Sequence, residues 1–209
     1  MDISNPIRSV IPSVHGDVLA VLARTGAPLT GRGVAGLIQG VSLAGVQKAL
    51  NALTEAGVVL VESHPPAKLY RLNRDHLAAE AIAELASMRS RLIASMREHL
   101  SSWDPAPWGA WLFGSAARGD GSPSSDIDVL VVRPDRVADD DERWSEQLER
   151  FVSDVGSWTG NPCAVIEYSH SEFGDLLASG ERLASDLRVE GIALTDRRLP
   201  RRTPARSAS

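Results

Sequence analysis

The chain has 209 residues, 43% of them hydrophobic, and a net charge of −5; that length allows one large or two small domains with real cores. The acidic balance argues against a general nucleic-acid coat protein. A lone cysteine, Cys163, excludes an internal disulfide and fits a reducing cytoplasm. No apolar run is long enough to span a bilayer, and the opening Met-Asp-Ile-Ser-Asn-Pro lacks the basic-then-apolar pattern of a signal peptide, so the expected location is the cytoplasm, with no membrane partner. The charge is uneven. Residues 1–73 hold six Lys/Arg against four acids, +2, and the remainder holds sixteen against twenty-three, −7, which suggests two jobs on one chain.

Helical spacing of Val14, Val18, Leu19 and Leu22 predicts a short helix over 15–23, broken by Gly26-Ala-Pro28. Thr30 suits the N-cap of a second short helix through Ile38, and Ser42 that of a third over 43–56, closed by Gly57. Val58–Val61 and Leu69–Leu72 read as two strands around a His64-Pro-Pro-Ala turn. Over 14–73 this order of three helices and a hairpin, with its Leu53 to Val58 junction, resembles the winged helix-turn-helix superfamily. The resemblance implies a DNA-binding module whose third helix reads the major groove. Its outward residues would be Ser42, Gln47, Lys48 and Asn51. Amide edges suit adenine, and Lys48 suits phosphate. Arg32 on the second helix and Lys68 and Arg71 on the hairpin would hold the DNA backbone. The same polar residues suit equally the solvated face of any amphipathic helix, and a charge of +2 is small for DNA.

From 75 to 103 an apolar stripe (Leu77, Ile82, Leu85, Met88, Leu92, Met96, Leu100, Trp103) predicts one continuous connecting helix, about 40 Å long. It is available for packing on either domain or for the seam of a homodimer. Asp104-Pro-Ala-Pro107 ends it.

The most informative stretch follows. Ala110–Phe113 is an apolar strand that stops at Gly114-Ser115, and Asp126–Val132 is a second strand opened by Asp-Ile-Asp. Asp126 and Asp128, two apart on a strand, share a face. Paired hard oxygen ligands suit Mg²⁺, which takes its remaining ligands from water and substrate phosphates. Gly114 allows close backbone approach, Ser115 adds a hydroxyl, and Arg118 a fixed positive fork. Gly114-Ser115, ten residues, then Asp126-Ile-Asp128, with Ala117-Arg118-Gly119 inside, resembles the nucleotidyltransferases of the DNA polymerase β superfamily, nearest to their minimal branch. No Gly-Lys-Ser/Thr follows, so a Walker-type loop is excluded.

The resemblance implies transfer of a nucleoside monophosphate from a nucleoside triphosphate, with ATP the expected donor, to a hydroxyl of a protein or small molecule. Two Mg²⁺ ions would sit on Asp126 and Asp128. Gly114, Ser115 and Arg118 would hold the nucleotide. The acceptor of such minimal enzymes is a protein hydroxyl in some toxin–antitoxin pairs, and the fused first domain favours a regulatory setting. The rival reading is a transcription regulator whose second domain only binds nucleotide or a protein partner. The family also places a third carboxylate on the next strand. Glu167 is the only acid of Cys163–Tyr168 and is the candidate. Alternation puts Val165 and Glu167 on one face and Ala164 and Ile166 on the other, so the register decides whether Glu167 completes the site.

The remaining pattern is a hydrophilic loop over 135–142 with solvated acids, an amphipathic helix over 144–155, a turn at Thr159-Gly-Asn-Pro162, helices over 171–177 and 182–190, and a last strand over 191–194. It predicts a small mixed sheet with helices on one side, hence an α/β (α+β) class. The expected domains are 1–74, the connector 75–103, the catalytic candidate 104–196, and a basic disordered tail over 197–209.

Overall fold

A computed structural model describes residues 1–197 and Leu199, and of His64 the backbone alone. Of the tail expected over 197–209, all but Arg197 and Leu199 lies outside the described residues. Helices alternate with two small sheets, a mixed content consistent with the α+β class. The chain forms two compact units. The first holds Asp2 and residues 4–91, and the second holds Met1, Ile3 and the described residues from Leu92 onward.

In the first unit a 3-10 turn at Pro6–Ser9 precedes α1 (Val14–Arg24), β1 (Leu29–Thr30), α2 (Gly31–Gly36), α3 (Leu43–Glu55), β2 (Val59–His64) and β3 (Ala67–Leu72). The Thr30 hydroxyl accepts from the Gly33 amide at 3.0 Å, and that of Ser42 from the Gly45 amide at 3.1 Å, so both expected N-caps form. α3 ends where Gly57 turns left-handed, φ 74°, the conformation glycine adopts without a Cβ penalty. Val18, Leu22, Val34, Val46, Leu50, Val59 and Leu72 are buried together, each side chain gaining roughly 1.5–3 kcal/mol over exposure.

Two features escape the hydrophobic pattern. Leu29–Thr30 pairs with Leu69–Tyr70 as a third antiparallel strand, giving the order β1-β3-β2. Asp17, on the first turn of α1, is buried, and its carboxylate is taken by Arg8 at 2.7 Å and by the Asn5 amide at 2.7 Å.

The segment expected as one helix over 75–103 is two: α4 (Ala79–Ala86) and α5 (Met88–Ser101). Ser87 interrupts them. Its hydroxyl donates to the Glu84 carbonyl at 2.8 Å, and its amide is shared between the carbonyls of Ala83 and Glu84. A serine bonding back to its own helix competes with the regular ladder and bends it. The division between units falls within α5.

The second unit is built on a four-stranded sheet of β4 (Gly109–Phe113), β5 (Ile127–Arg133), β6 (Cys163–Ser169) and β7 (Ile192–Ala193), in the order β6-β5-β4-β7. β4 is antiparallel to β5 and β7, and β5 is parallel to β6. Short α6 (Gly114–Arg118) follows β4, α7 (Glu142–Thr159) precedes β6, and α8 (His170–Ser179) and α9 (Arg182–Glu190) precede β7.

Helices cover both faces of this sheet, not one. Ala110, Leu112, Ile127, Val129 and Val131 pack with α5 and α7 through Met96, Leu100, Trp144, Phe151 and Val155. Trp111, Leu130 and Val132 pack with α8 and α9 through Phe173, Leu176, Ala184 and Leu187. The reason lies in β5: Val129, Leu130, Val131 and Val132 are all fully buried, and an unbroken apolar run needs cover on both sides. The loop after β5 also differs from expectation. Asp141 accepts from the Trp144 amide at 2.8 Å and caps α7, and Asp135 accepts from the Ser171 amide at 3.0 Å at the start of α8.

Candidate functional site

Gly114 ends β4 in the left-handed region, φ 66°, and so turns the chain directly into α6. A Cβ there would lie 2.4 Å from Oδ2 of Asp128. This close approach is possible because Phe113 and Asp128 are paired across β4 and β5. Phe113, the N-cap residue of α6, offers no side-chain cap. Ser115 lies under the loop that returns to β5: a Cβ on Gly121 would stand 3.1 Å from its hydroxyl, and its carbonyl accepts from the amides of Gly119 at 2.9 Å and Asp120 at 3.2 Å.

Asp126 is exposed and Asp128 half-buried. Burial raises the Asp128 carboxyl above the ordinary carboxylate range, the negative charge of Asp126 raises it further, and Arg118 partly opposes them. Asp126, Asp128 and Arg118 therefore share one electrostatic neighbourhood, with Gly114 packed against Asp128. The nearby Cys163 thiol is pushed up to about 12, first by burial and then by Asp128, which keeps it a packed thiol with little thiolate character.

Arg118 is not idle. It donates to Asp120 at 3.0 Å and to Glu190 at 2.7 Å, and both bonds hold its pKa above the ordinary guanidinium value. Glu190, at the end of α9, is a partner that its sequence position, 72 residues on, gave no signal for. Asp120 and Glu190 both occupy Arg118, whose charge only partly offsets the burial and the Asp126 charge that act on Asp128.

Glu167 lies elsewhere. In the parallel register Asp128 pairs with Ala164, and Glu167 with Val131. Val131 belongs to the face packed on α7, the face opposite Asp128. Glu167 accepts there from Arg133 at 2.7 Å and from the Trp144 indole at 3.1 Å. On the Asp128 face β6 presents Ala164 and Ile166, both exposed, and no acid. This corrects the assignment of Glu167 as a catalytic residue: an arginine and an indole have claimed it in a structural contact. Glu167→Gln is expected to cost about 1–3 kcal/mol, the scale of a hydrogen bond to a charged group, while leaving nucleotide binding within two-fold of wild type. A thermal scan and a nucleotide titration on the same sample check both.

The first unit carries the residues expected to face DNA. Arg32, Ser42, Lys48, Asn51, Lys68 and Arg71 are exposed. Gln47 is half-buried, donating to Asn51 at 3.0 Å and to the Tyr70 hydroxyl at 2.8 Å, so its amide braces α3 on β3. The outward side of α3 is a shallow groove lined by Gln47, Lys48, Asn51 and Glu55. Ser42 is occupied as an N-cap. Lys68 shares a strand face with Tyr70 and hence with α3. Arg71 is on the other face of β3, paired with Glu62 at 3.3 Å, away from α3.

Among the described residues no helix is long and apolar enough to cross a membrane. Residues 93–182, all within the second unit, match the family model of the nucleotidyltransferase domain, a likeness that supports nucleotidyl transfer in general. No curated protein and no solved structure matches the chain significantly.

Proposed function

We propose that the nucleotidyltransferase domain matched over residues 93–182 is a metal-dependent enzyme that transfers a nucleoside monophosphate from a nucleoside triphosphate to a hydroxyl acceptor. The observation that carries this reading is the setting of Asp128. Its ionised form is disfavoured by burial and by Asp126, and a glycine leaves open the space beside its oxygen. A divalent cation would relieve both penalties.

Among the described residues no group of three or more His, Cys, Asp or Glu could hold a metal by itself. A pair of carboxylates suits Mg²⁺, which keeps waters and completes its shell with substrate phosphates. Asp126 and Asp128 would hold it, and when bound it neutralises phosphate charge and polarises the reacting oxygens.

The chain's own residues do the rest. The triphosphate tail would lie along the Gly114-Ser115 turn beside Asp128, with the Ser115 hydroxyl donating to it. Arg118, oriented by Asp120 and Glu190, offers its remaining N–H donors to the departing charge. In the reaction the acceptor hydroxyl gives its proton to water, its oxygen bonds to the α-phosphorus, the bond from that phosphorus to the bridging oxygen breaks, and pyrophosphate leaves. ATP is the first donor to test. A protein hydroxyl, for example on a toxin-like partner, is the first acceptor.

The order α1-β1-α2-α3-β2-β3, with β1 closing the sheet on β3, supports reading the first unit as a winged helix-turn-helix. DNA contact would then fall to Lys48 and Asn51 on α3, with Arg32 and Lys68 beside them, in the cytoplasm and as a homodimer on paired half-sites.

One observation favours a second reading, a regulator that binds nucleotide without turning it over: β6 sets Ala164, not an acid, beside Asp128. One experiment separates the two. The protein is incubated with each labelled triphosphate and Mg²⁺, alone and with the product of a neighbouring open reading frame, while a mobility shift on random duplex DNA is followed in parallel. Label that appears with Mg²⁺ and vanishes with EDTA supports the enzyme. Metal-dependent nucleotide binding without label, with DNA binding intact, supports the regulator.

A further inference from the structure

Asn161 belongs to the turn between α7 and β6, far in sequence from the paired aspartates, and it is 2% exposed. Its side-chain amide donates to two backbone carbonyls of the loop that ends at Asp126: Pro123 at 3.0 Å and Ser125 at 2.9 Å. Its own oxygen accepts from the Met1 amino group, which fixes which end of the amide faces the loop. The next residue adds a third tie, since the Pro162 carbonyl accepts from the Ile127 amide at 2.9 Å. Ile127 stands between the two aspartates. The turn is itself pinned, with the Asn161 amide donating to the Thr159 hydroxyl at 3.1 Å and that hydroxyl donating to the Val155 carbonyl at 2.7 Å.

The loop it holds has few other anchors. Gly121, Ser122, Pro123, Ser124 and Ser125 carry no large apolar side chain to bury. Among the described residues, the other hydrogen bonds of 122–125 run among their own serines, as from the Ser122 amide to the Ser125 hydroxyl at 2.8 Å. Two buried donors on two successive-but-one carbonyls are a stronger constraint than any contact the loop makes with itself. Asparagine is the side chain that supplies two N–H donors and one acceptor, uncharged, at this reach.

We propose that Asn161 is a positioning residue for the nucleotidyl-transfer site: it clamps the Pro123–Ser125 backbone and so sets where the Asp126 and Asp128 carboxylates stand for the divalent cation. The proposal rests on the functional reading above, and touches no reacting atom itself. Losing the clamp leaves the aspartates present and their spacing free to vary. Metal affinity then suffers as it does when an outer partner of a ligand is removed, by about 10–100-fold.

Two variants test it. Asn161→Asp keeps the shape but turns a carboxylate oxygen toward the two carbonyls, and Asn161→Ala removes the donors without adding charge. Hydrogen exchange is measured on the metal-free protein. Mn²⁺ binding is measured by electron paramagnetic resonance at a fixed concentration of ATP, with Asp126→Asn as the comparison.

The expected result is exchange at least ten-fold faster in peptides covering 119–127, with peptides from α5 and β4 unchanged, and a Mn²⁺ half-saturation at least ten-fold higher. Asp126→Asn should lose Mn²⁺ binding with wild-type exchange in the loop. Unchanged exchange in both Asn161 variants overturns the clamp. Faster exchange with unaltered Mn²⁺ binding overturns its role at the site. Should the wild type bind no Mn²⁺ with ATP, the nucleotidyl-transfer reading falls and the positioning role with it, while the exchange data still decide separately whether Asn161 holds the loop.

Discussion

Replacing Asp128 by Asn is expected to abolish metal-dependent nucleotidyl transfer and, near neutral pH, to raise the temperature at which the second unit unfolds. The first effect follows from removing one of the two carboxylates proposed to hold the metal. A loss of about 10³-fold or more is the scale of deleting a principal electrostatic stabiliser from a reaction centre.

The second effect follows from the setting of the carboxyl. Burial, then Asp126, raise it above its ordinary value of 3.8, so the folded protein binds that proton more tightly than the unfolded chain does. Below 3.8 the group is protonated in both states and costs nothing. As pH rises through the folded-state pKa the charge is forced onto a half-buried site, and stability is lost. The amide never takes that charge. Its gain is therefore present at pH 7 and disappears near pH 3. Thermal scans at the two pH values, with transfer assayed at the first, check the prediction. An Asp128→Asn protein that unfolds earlier than wild type at pH 7, or that still transfers label, contradicts it. Mg²⁺ with nucleotide should raise the wild-type midpoint and leave that of the variant unmoved.

Gly114→Ala is expected to destabilise the second unit and to damage transfer together. Two costs coincide there. The backbone is at φ 66°, where an L side chain costs of order 1–3 kcal/mol. The added Cβ would also sit 2.4 Å from Asp128 Oδ2 and 3.3 Å from its Cγ. Those atoms are a proposed metal ligand, so relief of the clash moves the ligand. A displacement near 1 Å in a reacting constellation costs about 10²-fold.

A control is built into the same unit. Gly174, inside α8, has open space around its missing Cβ, and Gly174→Ala should stabilise the protein by roughly 0.5–1 kcal/mol without touching transfer. Denaturant titrations of the two variants, alongside label incorporation, separate a backbone-specific effect from a general intolerance of bulk. Equal behaviour of the two alanines would remove the argument that Gly114 serves the site.

The local signals in this sequence were strong where a residue answers to its neighbours in the chain. Thr30 and Ser42 cap helices because their hydroxyls reach amides three residues on. Gly114 turns from strand to helix because nothing but glycine adopts that backbone cheaply. Asp126 and Asp128 share a face because strand alternation has a period of two. For the same reason the proposed nucleotide-site residues Gly114, Ser115, Arg118, Asp126 and Asp128 all come from one short stretch.

What the sequence could not carry is the partner of each charged group. The parity of Glu167 within β6 was legible, but the register against β5 was not, and that register set Ala164 beside Asp128 and sent Glu167 to Arg133 and Trp144. Arg71, Gln47 and the acids at 135 and 141 were likewise claimed by neighbours distant in the chain or by helix ends. Ser87 broke a helix that the apolar stripe ran straight through, because the stripe records burial and not competition for a carbonyl. Sequence alone determined most of the helices and strands, though not β1 or the break at Ser87, and where the paired aspartates lie. Tertiary structure decided which face each strand turns to those aspartates, that helices cover both sides of the sheet, and that Asn161 reaches the Pro123–Ser125 backbone and Glu190 reaches Arg118, because register, burial and charge pairing are set between segments that only folding brings together.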